Sequence, residues 1–508
     1  MRLLSLAAAA LCACTTLSLH AEIRLPNALS DHAVLQRDRP IHLWGWATPH
    51  ARLTARFHAQ TVLAEADSIG KWSLYLQPES AGGPYTLTLS GDGPDKTLSD
   101  LLVGDVWFAS GQSNMEFPLA GFTGAPLKDM DKEIAAANNP RLRLLRVEHK
   151  TADSPVNDIV GNWTLCTPDT AKAFSAVAYF FGREIAADRN VPIGLVDSTW
   201  GGTPADAWTS LDTLGNDPAL LPAFASRARF TNQQTDLDAT IDAEKQEDAA
   251  AKAAGQPAPK HPWHPDEASW RPAALYNGMI APLTPLSIKG FLWYQGETNS
   301  AHDRAPFYGR LFSDMIGDWR THFAQGNLPF LFVQISSFDS PGEDWGTVRD
   351  QQRRTLAVAH TAMAVTLDIG TPNNVHPPDK QTVAARLAAA ARALVYDEHI
   401  AYSGPAFREA TTEMSSDGTQ SLRVWFNHAN GLTTHGKTLT SFEVAGADHH
   451  FVPAAATLDG DSVLVHAPNV AAPVYVRFGW QGVVTDSLYN ADGFPTATFT
   501  SEPCGDHP

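Results

Sequence analysis

Four short runs of apolar residues lie along the chain, and a polar turn follows each of them. The runs occupy residues 106–109, 193–196, 290–294 and 362–367. Their hydrophobicity is nearly continuous rather than alternating, which is typical of strands buried on both faces of a parallel sheet. The pattern therefore predicts an α/β domain whose polar turns lie at one edge of the sheet.

Two further segments place their apolar residues on one face of a helix, which indicates crossovers between the strands. The residues at this spacing are Phe174, Val177, Ala178, Phe181 and Ile185 in the first segment, and Val383, Leu387, Ala390 and Leu394 in the second. Parallel strands joined by helices form a three-layer α/β/α domain. We expect this domain over residues 101–400, with an acidic, Ala- and Pro-rich insertion at about 210–272.

Both flanks of this domain carry short β patterns. Residues 22–100 alternate polar and apolar positions between Gly and Pro turns, which predicts an antiparallel β-sandwich. Apolar runs at 422–426 and 474–478 indicate that residues 401–508 form a second β-rich domain. The expected order is therefore a β-sandwich, the α/β domain and a C-terminal β domain.

The turn after the first apolar run carries a serine suited to acyl transfer. Residues 110–115 read Ser-Gly-Gln-Ser-Asn-Met, so Ser113 follows a glycine turn where a buried strand ends. Its hydroxyl would be exposed there, and its backbone N–H would be free to stabilise an oxyanion. The motif differs from the Gly-x-Ser-x-Gly elbow of α/β-hydrolases. By itself it is equally consistent with a helix-capping turn.

The other polar turns supply residues that would meet this serine. The residues that follow the remaining three runs are Gly201, Gly202, Gln295, Asn299 and His376. In open parallel sheets the ligand crevice lies outside the carboxyl ends of the strands. This convergence favours catalysis over a capping turn.

The motifs around these residues resemble those of the SGNH hydrolases, which are named for their Ser, Gly, Asn and His. More narrowly, DVWFASGQSNM (105–115), TWGGTP (199–204), WYQGE (293–297) and HPPDK (376–380) resemble motifs of the sialate O-acetylesterase family of carbohydrate esterases. The resemblance implies an SGNH-type fold and a carboxylic ester hydrolase. Such an enzyme removes O-acetyl groups from sugars without a metal or organic cofactor.

The resemblance also assigns roles to single residues. Ser113 would be the nucleophile and His376 the general base, since imidazole exchanges protons near neutrality. The backbone N–H groups of Ser113 and of Gly201 or Gly202, with the Asn299 amide, would form the oxyanion hole. At the reference histidine pKa, activity would fall below about pH 6–6.5. Residues expected to contact the substrate are Gln112, Gln295, Glu297 and Arg349.

The acid of a Ser-His-Asp triad is not evident in the sequence. SGNH hydrolases carry it three residues before the histidine, where this chain has Asn373. Asp368 and Asp350 are the alternatives, whereas Asp379 is expected to cap the next helix. We favour a Ser-His dyad, because any hydrogen-bond acceptor can orient an imidazole.

The first 21 residues have the pattern of a secretory signal peptide, with one positive charge, an apolar stretch and a small residue. This pattern predicts export to the periplasm or the medium, with a lipid anchor on Cys14 as the weaker alternative. No later segment has the apolar length of a membrane span. Cys166 and Cys504 would remain in the mature chain, either bonded to each other or free.

The net charge of −18 at pH 7 disfavours nucleic acid and anionic membranes as partners. The expected partner is an acetylated sugar or glycan, and the oligomeric state stays open. Sialic acid carries a carboxylate, so its selection requires a cation such as Arg349 or Arg304. Acetylated plant hemicellulose, such as xylan or xyloglucan, is the second interpretation.

Three other classes of protein compete with this interpretation. A metal-dependent hydrolase would use the histidines and acids at 261–267 or 448–450, which lack zinc-ligand spacing. A glycosidase would pair Glu297 with Asp368, but it would need no exposed serine on a glycine turn. A non-catalytic carbohydrate-binding protein would not need serine, asparagine and histidine at the same sheet edge.

Overall fold

The computed structural model describes most of the chain beyond the predicted leader. It covers residues 22–503, with gaps at 92, 222–233, 258, 260, 262, 263 and 417. The predicted signal peptide, Cys14 and Cys504 lie outside the described residues. Cys166 is buried, and burial raises the pKa of its thiol to about 11.

A mostly parallel sheet forms the centre of the molecule. Its strands are β7 (Lys96–Gly111), β8 (Asn139–Arg146), β9 (Trp163–Cys166), β10 (Ile193–Thr199), β11 (Gly290–Tyr294), β12 (Phe330–Val333) and β13 (Thr361–Ala364). Their order is β13-β12-β11-β7-β10-β8-β9, and only the β8–β9 pair is antiparallel. The four apolar runs form β7, β10, β11 and β13, as predicted.

Ten α-helices are found in the described part of the chain, in addition to short 3-10 and π-helical turns. They are α1 (Ser113–Glu116), α2 (Met130–Ala135), α3 (Pro168–Ala171), α4 (Ala176–Arg189), α5 (Leu211–Asn216), α6 (Gln234–Ala253), α7 (Glu267–Trp270), α8 (Tyr308–Phe323), α9 (Trp345–Arg354) and α10 (Lys380–Val395). Both predicted amphipathic helices are present as α4 and α10, which pack against each other. In the described residues, no helix combines the length and apolarity needed to cross a bilayer.

The helices cover both faces of the sheet. Trp107 and Phe108 are neighbours on β7, so their side chains point to opposite faces. Trp107 contacts Phe181 of α4, whereas Phe108 contacts Trp319 and Phe323 of α8. The three-layer α/β/α architecture predicted from the sequence is confirmed.

The N-terminal β region is continuous with the central sheet. Its strands are β1 (Val34–Gln36), β2 (Ile41–Trp46), β3 (Arg52–Phe57), β4 (Gln60–Glu65), β5 (Lys71–Leu76) and β6 (Gly82–Ser90). β2 pairs with β5, while β3 pairs with β4 and β6, and β1 and β6 both pair with β7. β7 therefore runs through residue 100, where we expected one domain to end, and serves both regions.

The C-terminal region forms two four-stranded sheets. Their strands are β14 (Ala406–Met414), β15 (Gln420–Asn427), β16 (Phe442–Ala445), β17 (Val452–Pro453), β18 (Ala455–Asp459), β19 (Ser462–His466), β20 (Tyr475–Phe478) and β21 (Phe499–Thr500). One sheet has the order β14-β15-β19-β18 and the other β17-β16-β20-β21. All neighbouring strands in both are antiparallel.

Candidate active site

The carboxyl ends of β7, β10 and β11 and the loop after β13 open into one cavity of about 650 Å³. The residues expected at the site that line this cavity are Gln112, Ser113, Gly201, Gly202, Glu297 and His376. They come from segments far apart in sequence. The structure therefore brings together most of the residues that follow the apolar runs.

Ser113 is presented by a turn that requires glycine. It begins α1 directly after β7, and Gly111 at the end of that strand has a φ of 137°. A Cβ on Gly111 would lie 2.2 Å from the carbonyl oxygen of Tyr294. Both the positive φ and this close approach exclude a larger residue. The turn places Ser113 on the cavity wall.

His376 lies within hydrogen-bonding distance of Ser113. Its Nε2 is 2.8 Å from the Ser113 Oγ. The backbone N–H of His376 donates to Oδ1 of Asn374 at 2.9 Å, and the rings of Phe117 and Phe122 pack near the imidazole. This geometry suits transfer of the serine proton to the imidazole.

Within the described residues, no carboxylate is hydrogen-bonded to this imidazole. Asp368 instead accepts two hydrogen bonds of 2.7 Å from Arg386. Asp350 is buried and accepts hydrogen bonds from Arg353 and Arg354. Both alternative acids are therefore hydrogen-bonded to arginines and not to His376, which favours the Ser-His dyad.

Asp379 has the role that its position in the sequence predicts. Its carboxylate accepts the backbone N–H of Thr382 at 3.0 Å and caps α10. Its other oxygen accepts a hydrogen bond from Lys128 at 3.1 Å. The expectation of a helix cap is confirmed.

The imidazole of His376 has a depressed pKa. Burial lowers the pKa most, the positive charge of Lys380 lowers it further, and the carboxylate of Glu116 raises it slightly, which leaves a pKa of about 4. The neutral form of an imidazole is the one that accepts a proton. His376 is therefore ready to act as a base well below neutral pH.

Of the residues expected to form the oxyanion hole, Ser113, Gly201 and Gly202 line the cavity, whereas Asn299 is buried and is not part of the lining. A Cβ on Gly201 would be 3.2 Å from the Cβ of Ser113 and 3.0 Å from Oε2 of Glu116, so a side chain here would crowd both residues. The Gly201 N–H donates to Oε2 of Glu116 at 2.6 Å, so a carboxylate already holds this donor. Oδ1 of Asn299 accepts from Ala205 N–H at 3.0 Å and from a buried glutamine amide at 2.6 Å. These bonds fix the orientation of the Asn299 amide and leave its NH₂ group to donate elsewhere.

Gln295 is that buried glutamine, so it supports the site instead of lining it. Its Nε2 donates to Asn299 and to the carbonyl of Thr203. Gln112 lines the cavity, and its Oε1 accepts the backbone N–H of Thr298 at 3.1 Å. Both side chains stabilise the turn after β11.

Arg349 does not line the cavity, contrary to the expectation from the sequence. It is fully buried on α9, and its guanidinium donates to the backbone carbonyls of Trp345 and Gln481. Burial lowers its pKa to about 9. The arginine that does line the cavity is Arg304, whose guanidinium lies 5.0 Å from the ring centre of Trp270.

Sequence reasoning missed a polar and aromatic cluster on one cavity wall. Oε1 of Glu116 is 2.9 Å from Nε2 of His149, and His149 stacks on Trp200 with ring centres 4.2 Å apart. The indole N–H of Trp270 donates to the Gly202 carbonyl at 2.6 Å. Glu116 directly follows the first motif and Trp200 lies within the second, so the sequence carried a signal for both residues. His149 is far from every motif, and only the fold places it here.

The residues that a metal-dependent hydrolase or a glycosidase would use have other hydrogen-bond partners. His261 and His264 contact the carboxylates of Asp248 and Glu244 on α6, and no group of three potential metal ligands is found among the described residues. Glu297 accepts a hydrogen bond from Asn114 at 2.6 Å. Asp368, its partner in the glycosidase hypothesis, accepts hydrogen bonds from Arg386.

Comparisons with known proteins agree with the fold and indicate a family of esterases. A family model described as "Carbohydrate esterase, sialic acid-specific acetylesterase" matches residues 253–392. The sialate O-acetylesterase of Rattus norvegicus is 30% identical over 424 residues, which cover 75% of each chain. That of Mus musculus is 28% identical over 504 residues, which cover 90% of this chain and 89% of the mouse protein.

A solved structure covers nearly the whole molecule. A carbohydrate acetylesterase from Xanthomonas citri superimposes with a TM-score of 0.80 and 36% identity, over 95% of this chain and all of that chain. Fold and relatives together define a carboxylic ester hydrolase of the SGNH type that acts on sugar acetyl groups. The chain belongs to the sialate O-acetylesterase family, as its motifs predict.

Proposed function

We propose that this protein is an exported serine esterase that hydrolyses sugar O-acetyl esters through an acetyl-enzyme on Ser113. The observation that supports the mechanism is the 2.8 Å contact between the Ser113 Oγ and Nε2 of His376. Export rests on the leader-like residues 1–21. N-terminal sequencing of protein from the periplasm or medium tests it, and a chain that still begins at Met1 would contradict it.

In the first half of the reaction, His376 takes the Ser113 proton while Oγ attacks the acetyl carbonyl carbon. The oxyanion forms next to the Ser113 N–H and is stabilised by the Asn299 amide and the Gly202 N–H, since the Gly201 N–H already donates to Glu116. The tetrahedral intermediate then expels the sugar oxygen, which receives the proton from Nε2. In the second half, water gives a proton to Nε2 and its oxygen attacks the acetyl carbonyl. The second tetrahedral intermediate expels Oγ, which takes the proton back from Nε2, and acetic acid leaves and ionises to acetate.

For the sugar, we propose an O-acetylated sialic acid first. The supporting facts are the description of the matching family model and the names of the curated relatives. Arg304, on the cavity wall, is the residue that would bind the sialate carboxylate.

A neutral acetylated glycan, such as hemicellulose, is the second candidate. Trp200, Trp270 and Trp345 line the cavity, and aromatic faces suit sugar rings. The carboxylates of Glu116 and Glu343 line it as well and would repel an anionic substrate.

Substitution of Arg304 separates the two substrates. We expect Arg304→Ala to lower kcat/KM on O-acetylated sialic acid by about ten- to a hundredfold, because a charged hydrogen bond is lost. Hydrolysis of acetylated xylo-oligosaccharides and of an aryl acetate should stay near the wild-type rate. Arg408→Ala, on the C-terminal sheet, is the control. Equal losses on all three substrates would mean that Arg304 only supports the cavity, and a wild-type preference for the xylo-oligosaccharide would select the second candidate.

The pH profile tests the histidine base. Because the pKa of His376 is lowered to about 4, kcat/KM on an aryl acetate should stay constant down to about pH 5 and decline toward pH 4. The sign follows from protonation, since the imidazolium form cannot accept the serine proton. A decline already centred near pH 6–6.5, the reference range, would show that burial does not depress this pKa.

A further inference from the structure

Three buried polar side chains connect the nucleophile turn to the histidine loop. Nζ of Lys380 donates to Oδ1 of Asn114 at 2.5 Å. Nδ2 of Asn114 donates to Oε1 of Glu297 at 2.6 Å and to the carbonyl of Val375 at 2.9 Å. Asn114 follows Ser113 in sequence, and Val375 precedes His376. The Asn114 amide therefore ties together the two loops that carry the reacting groups.

The burial of these side chains is costly. Asn114 and Lys380 are 0% exposed and Glu297 is 7% exposed. The Lys380 ammonium faces the rings of Phe117 and Tyr294, 4.8 and 5.4 Å from their centres. Oε2 of Glu297 has no hydrogen-bond partner among the described residues. Apolar side chains would fill this space at lower cost, so a role in packing alone does not explain a buried lysine and glutamate.

We propose that Lys380 is a positioning residue for His376, acting through Asn114 to hold the 375–376 loop against the nucleophile turn. The proposal rests on the proposed Ser-His mechanism. In a triad an acid orients the imidazole from one side. Here the orientation comes from the backbone that carries the imidazole, because the Asn114 amide holds the Val375 carbonyl.

The charges around His376 determine in which direction its pKa should change when Lys380 is replaced. Lys380 acts on it from α10 and Glu116 from α1, and Glu297, Arg304, Glu343 and His149 line the same cavity. Burial lowers the pKa of Lys380 to about 7, while the carboxylate of Glu297 raises it. The lysine is therefore charged throughout the range in which His376 takes up its proton. Removing this charge should raise the pKa of His376.

The test compares Lys380→Met and Lys380→Gln with wild type in kcat/KM against pH on an aryl acetate. Gln retains an N–H donor for Asn114, whereas Met has none. In both variants the decline in acid should move upward by about one pH unit. In Lys380→Met, kcat should also fall about ten- to a hundredfold with little change in KM, because the imidazole is displaced. Lys380→Arg keeps the charge and should keep the wild-type position of the decline.

Lys128→Met is the matched control, because this exposed lysine pairs with Asp379 beside Lys380. It should leave both kcat and the pH profile unchanged. Near-UV circular dichroism shows whether each variant is folded. A Lys380 variant that is folded and less active but has the wild-type pH profile would overturn the proposal. Failure of both Lys380→Met and Lys380→Gln to fold would overturn it as well. Either result would mean that Lys380 has only a structural role. If Ser113→Ala remained active, the Ser-His mechanism itself would fail, which is a different outcome.

Discussion

The Ser113→Ala variant should fold normally and lose essentially all esterase activity, with kcat lower by about four to six orders of magnitude. The methyl group cannot attack the acetyl carbonyl, so no acetyl-enzyme forms. The change removes one oxygen from a turn whose shape is set by Gly111, so the fold has no reason to change. Acetate release from an aryl acetate and from an acetylated sugar measures the effect.

Ser313→Ala is the control for this experiment. Its hydroxyl donates to the Gly309 carbonyl on α8, away from the cavity. This variant should turn over at the wild-type rate. Near-normal turnover by Ser113→Ala would instead reject the nucleophile and support a non-catalytic carbohydrate-binding protein.

Substitution of His376 by alanine should lower kcat by about four to six orders of magnitude as well. Without the imidazole 2.8 Å from Oγ, the serine proton has no acceptor. The ring leaves a space next to Phe117 and Phe122, so added imidazole should restore part of the activity. Rates with and without imidazole at pH 7 measure both effects.

The control is His360→Ala, since the His360 ring binds the backbone carbonyl of Asn327. It should keep full activity. Retention of a tenth or more of the wild-type kcat by His376→Ala would assign the base to another group in the cavity. Glu116 and His149 would then be the groups to test.

Sequence alone was sufficient for the features that depend on local chemistry. Short apolar runs that end in polar glycine turns are typical of strands buried on both faces, so β7, β10, β11 and β13 were predictable. Parallel strands end at one edge, which is why Ser113 and His376 could be expected to meet. The Asp379 cap was predictable because it joins residues only three positions apart.

Tertiary structure decided the features that depend on distant partners. Arg349 and Arg304 were both candidate cations in the sequence, but packing buries the first and leaves the second on the cavity wall. Asp368 and Asp350 were possible acids until their arginine partners were known. The reference pKa of histidine contains no information on burial, so only the folded environment of His376 lowers the pKa to about 4. Charge pairing and desolvation depend on which surfaces come together, and a linear pattern of residues does not specify that.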